Sequence, residues 1–416
     1  MNALFSRQVA APLAAIFIMQ TALTLAAYAF PVVIPVAAVD IGLDPDSVGL
    51  LTAAIYLTGM LAGLATGGLL ARFGPTGVFQ GLLAVAAIGA MATTLGTVWA
   101  AFLAAVLVGC ATGPMNPVGS NVLARAASAD DRALVFSLKQ CATPAGGMAA
   151  GALLPALAIA YDWQTAMIAV AVASALLILL APLGGLGARP SRKAGAFDGR
   201  GPFASLMSAL RDPNLRAVTL AGFGLAICQM GLASYLVVFL WQEAGFTVRQ
   251  AGEIFAVLHA SGIGARIVLG FVADRLIAAR WVLALLGAAL CVALSLLLNV
   301  SGDWPHIAVY GVVMLAGASG NGWVGLYYAE LARLAPDDRV AEVSAGSQFV
   351  TYLGLVTGPL AFAAGLSAFG SYAVCFGALA VVALIAAVFL ASAGGGARAD
   401  NGERAGGGPA SAGAPE

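Results

Sequence analysis

What this sequence lacks first of all is charge. Of its 416 residues only 9% are Asp, Glu, Lys or Arg, against 61% hydrophobic, and the two signs balance at 19 each. That composition excludes an ordinary soluble globular domain, and the missing basic surplus excludes a nucleic-acid-binding face. Histidine is almost absent, with only His259 and His306. Five cysteines are scattered through apolar runs without CxxC or Cys/His spacing, which speaks against both a metal site and a disulfide framework. Walker, HExxH and G-x-S-x-G sequences are missing as well, so no enzyme is expected, and no cofactor or metal.

Long apolar runs take their place. They lie near 11–39, 47–71, 77–96, 99–124, 133–161, 164–187, 216–242, 248–273, 280–299, 305–333, 341–368 and 371–393. Each is long enough to cross a hydrocarbon core of roughly 30 Å as a helix. The first run has no small-residue cleavage site and reads as a span rather than a removed signal. The expected fold is an all-α membrane protein with twelve transmembrane helices. Inner loops collect Lys and Arg. With the N-terminus inside, every Lys and Arg outside the spans except Arg249 falls on the inner side, while outer loops carry Asp40, Asp44, Asp46 and Asp162. Both termini are therefore expected in the cytoplasm, in a cell inner membrane, with the lipid bilayer as one partner.

The chain repeats itself. "LARAASADDR" at Leu123–Arg132 returns as "LARLAPDDR" at Leu331–Arg339, pairing spans four and ten. "GLDPDSVG" aligns with "GFTVRQAG", and that register pairs Tyr56 with His259 and Gly67 with Gly270. Gln20 pairs with Gln229 and Gln140 with Gln348 in the same way. The expected organisation is a six-helix bundle over 1–187, a basic, Gly/Pro-punctuated cytoplasmic linker over 188–215 and a second bundle over 216–393. A low-complexity tail over 394–416 is expected to be disordered, and the protein is expected to be a monomer.

On these features the chain resembles the Major Facilitator Superfamily of transporters over essentially residues 8–393. The resemblance implies two bundles related by a pseudo-twofold axis, alternating access, and a solute site at their interface near the midplane. The family signature G-x-L-x-D-R-x-G-R-R survives as Gly67, Leu69, Arg72 and Gly74, with its aspartate replaced by Ala71 and its trailing basic pair by Pro75 and Thr76. The second copy keeps Asp274 and Arg275. By resemblance Arg72, Asp274 and Arg275 form a cytoplasmic latch between the halves. The fourth-span arginine usual in the family is absent.

Three ionisable side chains fall well inside spans: Lys139 in span five, and His259 and Arg266 in span eight. A charge in the membrane costs about 2.5–3.5 kcal/mol on insertion scales, and such residues face a cavity or a partner. Two cations and an imidazole without an acid at their depth favour an anionic solute. A carboxylate is the simplest, since a guanidinium receives it bidentately, and phosphate, sulfate or nitrate would satisfy the same charges. "ARIVLG" at Ala265–Gly270 is similar to the A-R-x-x-x-G context in the eighth span of the monocarboxylate branch, where the arginine is tied to substrate. The alternatives are that Arg266 snorkels or bonds backbone carbonyls and Glu330 or Asp274 near the inner face, that Lys139 snorkels from the inner third, and that His259 is a packing residue rather than a proton carrier.

Polar neutral residues extend the candidate substrate-binding set to Gln20, Asn116, Asn121, Gln140, Gln229, Asn321, Trp323, Tyr327, Gln348 and Tyr352, with Tyr28, Tyr235 and Tyr328 beside them. "GPMNPVG" in span four and "GASGNGWVG" in span ten are both expected to break their helices. The function expected is a secondary active transporter of a small organic anion, with protons as a candidate coupling ion through His259. One alternative is a proton-antiporting exporter of drugs or other hydrophobic compounds, since "TPAGG" at Thr143–Gly147 is a near miss to the fifth-span antiporter motif. The other is a transporter-like solute sensor.

Overall fold

The structure, a computed structural model, describes residues 7–127, 132–187, 202–336 and 339–393. Twelve helices or helix pairs in it are long and apolar enough to cross a membrane. Span one is α1 (Arg7–Ile41). Spans two and three are built from α2 (Val48–Gly63) and α3 (Thr66–Thr93). Span four divides into α4 (Val98–Thr112) and α5 (Met115–Ala126), and span five into α6 (Arg132–Gln140) and α7 (Ala142–Ala160). Span six is α8 (Trp163–Leu180). A short helix, α9 (Pro202–Arg211), then leads to α10 (Pro213–Gln242), α11 (Val248–Arg275), α12 (Ala279–Leu297), α13 (His306–Leu334), α14 (Val340–Phe369) and α15 (Tyr372–Ser392), which are spans seven to twelve.

Span ends are set by local chemistry. Helix starts at Thr97, Asp162, Asp212, Thr247 and Ser371 are each capped by the side chain of that residue, and Thr247 forms a full capping box with Gln250. The hydroxyl and N–H of Thr165 hold the Asp162 carboxyl below the usual aspartate range. Span two runs through α2, a tight turn at Leu64–Ala65 and the first residues of α3 as far as Phe73. At Gly74 the backbone takes φ 67°, a region open to glycine, and Pro75 starts span three. The chain thus turns between the two spans where the sequence places a loop at 72–76.

The two faces of the bundle are best named by what they carry. The linker helix α9 lies on one, here the linker face, with Ala393 at the end of α15, whose carbonyl accepts from Arg280. The other is the opposite face. Gly346 of α14 packs closely on the backbone of Ser205, and the Arg339 guanidinium donates to Ser208 at 2.7 Å, so α9 is strapped to span eleven. Within the expected 188–215 linker the described part includes the helix α9.

The repeat register reappears in the packing. Gly109 of α4 sits directly on the Ile55 carbonyl and Thr58 hydroxyl of α2, and Gly317 of α13 sits in the same way on the Leu258 carbonyl and Ser261 hydroxyl of α11. These are equivalent positions in the alignment that pairs Leu123 with Leu331 and Tyr56 with His259. Absence of a side chain at each glycine lets the helix backbones touch. One expectation fails here: span four breaks at Gly113–Pro114, whereas α13 is continuous through "GASGNGWVG". Pro114 has no N–H for the helix ladder, and the equivalent Gly322 does.

Halves meet through α7 against α11 and α2 against α14. On the opposite face Gly151 packs on the Gly252 carbonyl, and Pro155 fills the space above Gly252. Gly49 lies against Tyr235 and the Pro359 carbonyl. Between described residues, three hydrogen bonds join the halves: Tyr235 Oη to the Asp46 carbonyl at 3.0 Å, Tyr372 Oη to Asp46 Oδ1, and Arg266 to the Gln140 carbonyl. Toward the linker face Gly270, five turns on from Gly252 on the same face of α11, has nothing within 4 Å of where a Cβ would stand. The bundle is sealed on the opposite face and parted toward the linker face.

Candidate functional site

Where the halves part, a cavity lies between them, with about 950 Å³ of space when the open solvent at its mouth is included. Thr24, Tyr28, Tyr56, Met115, Asn116, Gln140 and Thr143 line it from the first half; Gln229, Arg266, Trp323, Tyr328, Gln348, Thr351 and Tyr352 line it from the second. Arg266 is the one charged side chain among them.

Proline chemistry explains how Arg266 is held. Span five breaks after Gln140, and the residue whose N–H would normally bond the Gln140 carbonyl is Pro144. That carbonyl is left to another donor, and the Arg266 guanidinium takes it from across the cavity. Its Nε donates to the Asn321 carbonyl at 2.8 Å. Asn321 in turn accepts from Gln229 Nε2 at 3.0 Å through Oδ1, and Trp323 Nε1 donates to Gln229 Oε1 at 3.1 Å. The cation is thus oriented by carbonyls and amides, and no carboxylate among the described residues pairs with it.

Lys139 is placed differently from the expected clamp partner. It is 1% exposed and does not line the cavity. Its ammonium donates to Asn116 Oδ1, to the Asn116 carbonyl at 3.2 Å and to Ser120 Oγ at 2.7 Å, with the Phe136 ring 5.8 Å away. It neither snorkels nor meets the cavity; it stands behind Asn116, which does. All three ammonium hydrogens are used, which is how a cation is tolerated there.

Other expected site residues divide in the same way. Asn116, Gln140, Gln229, Trp323, Gln348 and Tyr352 are on the wall. Gln20 lies behind it, donating to the Met115 carbonyl at 2.9 Å, and Asn321 is the buried hub already described. Tyr327 is buried with its ring against Trp323 and Gly222, and its hydroxyl lies by those of Thr219 and Ser347. Asn121 lies with Arg125 and Gln8 in a separate recess toward the linker face, away from the cavity. Tyr235, beside the expected set, belongs to the opposite-face seal. His259 is fully buried and is not part of the wall. Of the expected latch, Arg72 lies over Phe73 at 5.2 Å and Arg275 over Phe271 at 4.7 Å, so neither described side chain bridges the halves in this conformation. The side chain of Asp274 lies outside the described residues.

Sequence reasoning missed the hydroxyls of Thr24, Thr143 and Thr351 on the wall. The signal was present: each lies three or four residues from a lining residue, Tyr28, Gln140 and Gln348, and so on the same helical face.

A family profile of the Major Facilitator Superfamily matches residues 16–359. No curated protein matches the sequence at a significant level. Several solved structures share the fold. A bacterial homologue of the human lysosomal transporter Spinster, in an inward-facing and occupied conformation, superimposes with a TM-score of 0.72 at 17% identity, over 92% of this chain and 96% of that one. The nucleoside transporter NupG gives 0.74 at 12% identity, over 91% and 99%. A peptide transporter of the POT family in complex with sulfate gives 0.72 at 16%, over 91% and 93%. With twelve apolar spans, the family profile and these folds, the chain belongs to the Major Facilitator Superfamily and is a multi-pass membrane transporter.

Proposed function

We propose that this transporter moves a small organic anion, a carboxylate first of all, by alternating access of its two six-helix bundles, 1–187 and 216–393. The observation that carries the reading is Arg266: a guanidinium on the cavity wall whose described partners are neutral carbonyls. In a site of low dielectric a carboxylate is a stronger acceptor for it than a carbonyl, and the planar fork suits two carboxylate oxygens. Lys139 adds positive potential from behind Asn116 and positions that amide. One cation on the wall favours a monoanion over a dianion. The membrane is a cell inner membrane and the linker face is the cytoplasmic one, a reading supported by the loop arginines at Arg72, Arg125, Arg211 and Arg275.

The test is a thermal-shift screen of the purified protein against mono- and dicarboxylates, sulfonates, phosphate and neutral sugars, since binding to the native state raises apparent stability. A monocarboxylate is expected to raise the Tm of the wild type and to leave Arg266→Gln unmoved. The Arg266→Gln loss corresponds to about 1.5–3 kcal/mol, the scale of a hydrogen bond to a charged group. Stabilisation by neutral sugars alone, or an anion response kept in Arg266→Gln, overturns the reading. Export of a hydrophobic compound is the second reading, favoured by the rings of Tyr28, Tyr56, Trp323, Tyr328 and Tyr352 on the wall. With no carboxylate on that wall, it applies to neutral or anionic compounds, and resistance profiling of a deletion strain separates it from carboxylate transport.

A further inference from the structure

His259 sits where the halves close on each other toward the opposite face. Its ring lies 4.6 Å from that of Tyr28 on α1 and 4.6 Å from that of Phe255 on its own helix. On the third side is Gly147 of α7, where an added Cβ would stand 2.5–2.7 Å from three imidazole ring atoms. The residue is 0% exposed, and neither Nδ1 nor Nε2 has a hydrogen-bond partner. Buried polar atoms are nearly always paired, so an imidazole with both nitrogens orphaned points to a role that another conformation reveals.

No acid packs against the ring. From α1 the titratable neighbour is Tyr28, with Tyr56 of α2 behind it; from span five, Lys139 and Cys141 lie toward the linker face; on α11 itself the flanking charges are Arg266, seven residues on, and Glu253, six residues back, which is exposed and paired with Arg249 at 3.0 Å. Where α13 packs on this stretch, at Gly317–Asn321, it presents glycines, a serine and a neutral asparagine, and α10 presents Gln229 and Met230 at the cavity level. A protonated imidazole here has no acceptor, no counter-ion and a guanidinium on its own helix. It also has no hydrogen-bonded route to the cavity, because Tyr28 meets it ring against ring.

We propose that His259 is a proton-binding site that fills only when the opposite face opens, so that protonation and the sealed conformation described here exclude each other. Parting of α7 from α11 withdraws Gly147 and Tyr28 and lets water reach the ring, whose ordinary pKa near 6.5 then governs it. Acid on that face holds the transporter open there, and loss of the proton permits closure. The proton is taken from and returned to the same face, which makes His259 a gate rather than a carrier. This inference is independent of which solute is moved.

The experiment is pulsed electron–electron distance measurement in liposomes, with spin labels at Leu95 and Asp303 on the opposite face, in a background whose native cysteines are replaced. Wild type is expected to shift to longer distances as pH falls from 8 to 5, the open-to-sealed ratio rising by up to about tenfold per pH unit below the accessible pKa. His259→Phe fills the same slot and is expected to lose the response. Should that variant fail to fold, Gly147→Ala crowds the ring and is expected to populate the open form already at neutral pH. A wild-type distribution that ignores pH, a full acid response in His259→Phe, or a Gly147→Ala distribution identical to wild type overturns the proposal.

Discussion

Spans four and ten begin alike and then part company. Gly109 and Gly317 each let their helix touch the neighbouring one, on Ile55 and Thr58 in the first half and on Leu258 and Ser261 in the second. Four residues later the first half has Gly113–Pro114 and a broken helix, whereas the second has Asn321–Gly322 and an unbroken one. Spans five and eleven differ by the same device: Pro144 stands where the second half has Tyr352, and only span five breaks. The functional consequence follows from those exchanges. At the broken spans the first half turns a free backbone carbonyl, that of Gln140, toward the cavity; at the unbroken ones the second half turns side chains, Trp323 and Tyr352. Both buried cations are asymmetric too, since Arg266 takes the place of Gly63 and Lys139 that of Ser347 in the repeat register.

This comparison can be broken or sharpened by substitution. The largest effect is expected where the halves are equivalent. Gly109→Leu and Gly317→Leu each force a side chain into a backbone contact and should cost about 3 kcal/mol, the upper range for overpacking. Fluorescence-detected size-exclusion of heated samples reads it; if only one of the two loses its folded peak, the packing equivalence of the halves is wrong. Next come the non-equivalent partners Lys139 and Ser347. Lys139→Met leaves Asn116 Oδ1 and Ser120 Oγ without their donor and should cost about 1–3 kcal/mol. Ser347→Ala gives up one bond with Thr219 and should cost about 1 kcal/mol or less. Equal Tm losses for the two would show that the ammonium is not specially used. A gain rather than a loss is expected from Pro144→Ala, which returns an N–H to the Gln140 carbonyl. A gain of about 0.5–1.5 kcal/mol in stability is expected, with weaker attachment of Arg266 to span five. A fall in Tm would mean the break is required for packing.

Much of this was legible in the sequence because it rests on length and period. Apolar runs of spanning length fix twelve crossings, and the returning "LAR…DDR" phrase fixes a register that the glycine contacts reproduce. Arg266 was legible as well, since a lone guanidinium deep in a span has few uses. What escaped were facts of orientation. Lys139 lies one residue from the wall residue Gln140 and so points elsewhere on a helix of 3.6 residues per turn. Asn121 lies on the right helix, but beyond the break at Pro114 and too near the linker face. The break itself could have been read from Pro144 alone, by asking which carbonyl it leaves without a donor.

The glycine crossing of α7 and α11 has a mechanical consequence. Gly252 lies roughly 6 Å from the start of α11 and roughly 35 Å from its end, at 1.5 Å per residue. A rotation about that fulcrum gives the two ends very unequal lever arms. In the alternating-access cycle proposed above, the linker-face mouth is therefore expected to swing shut over a bound solute while the Asp46 seal hardly stirs, which encloses the cargo before anything opposite is released.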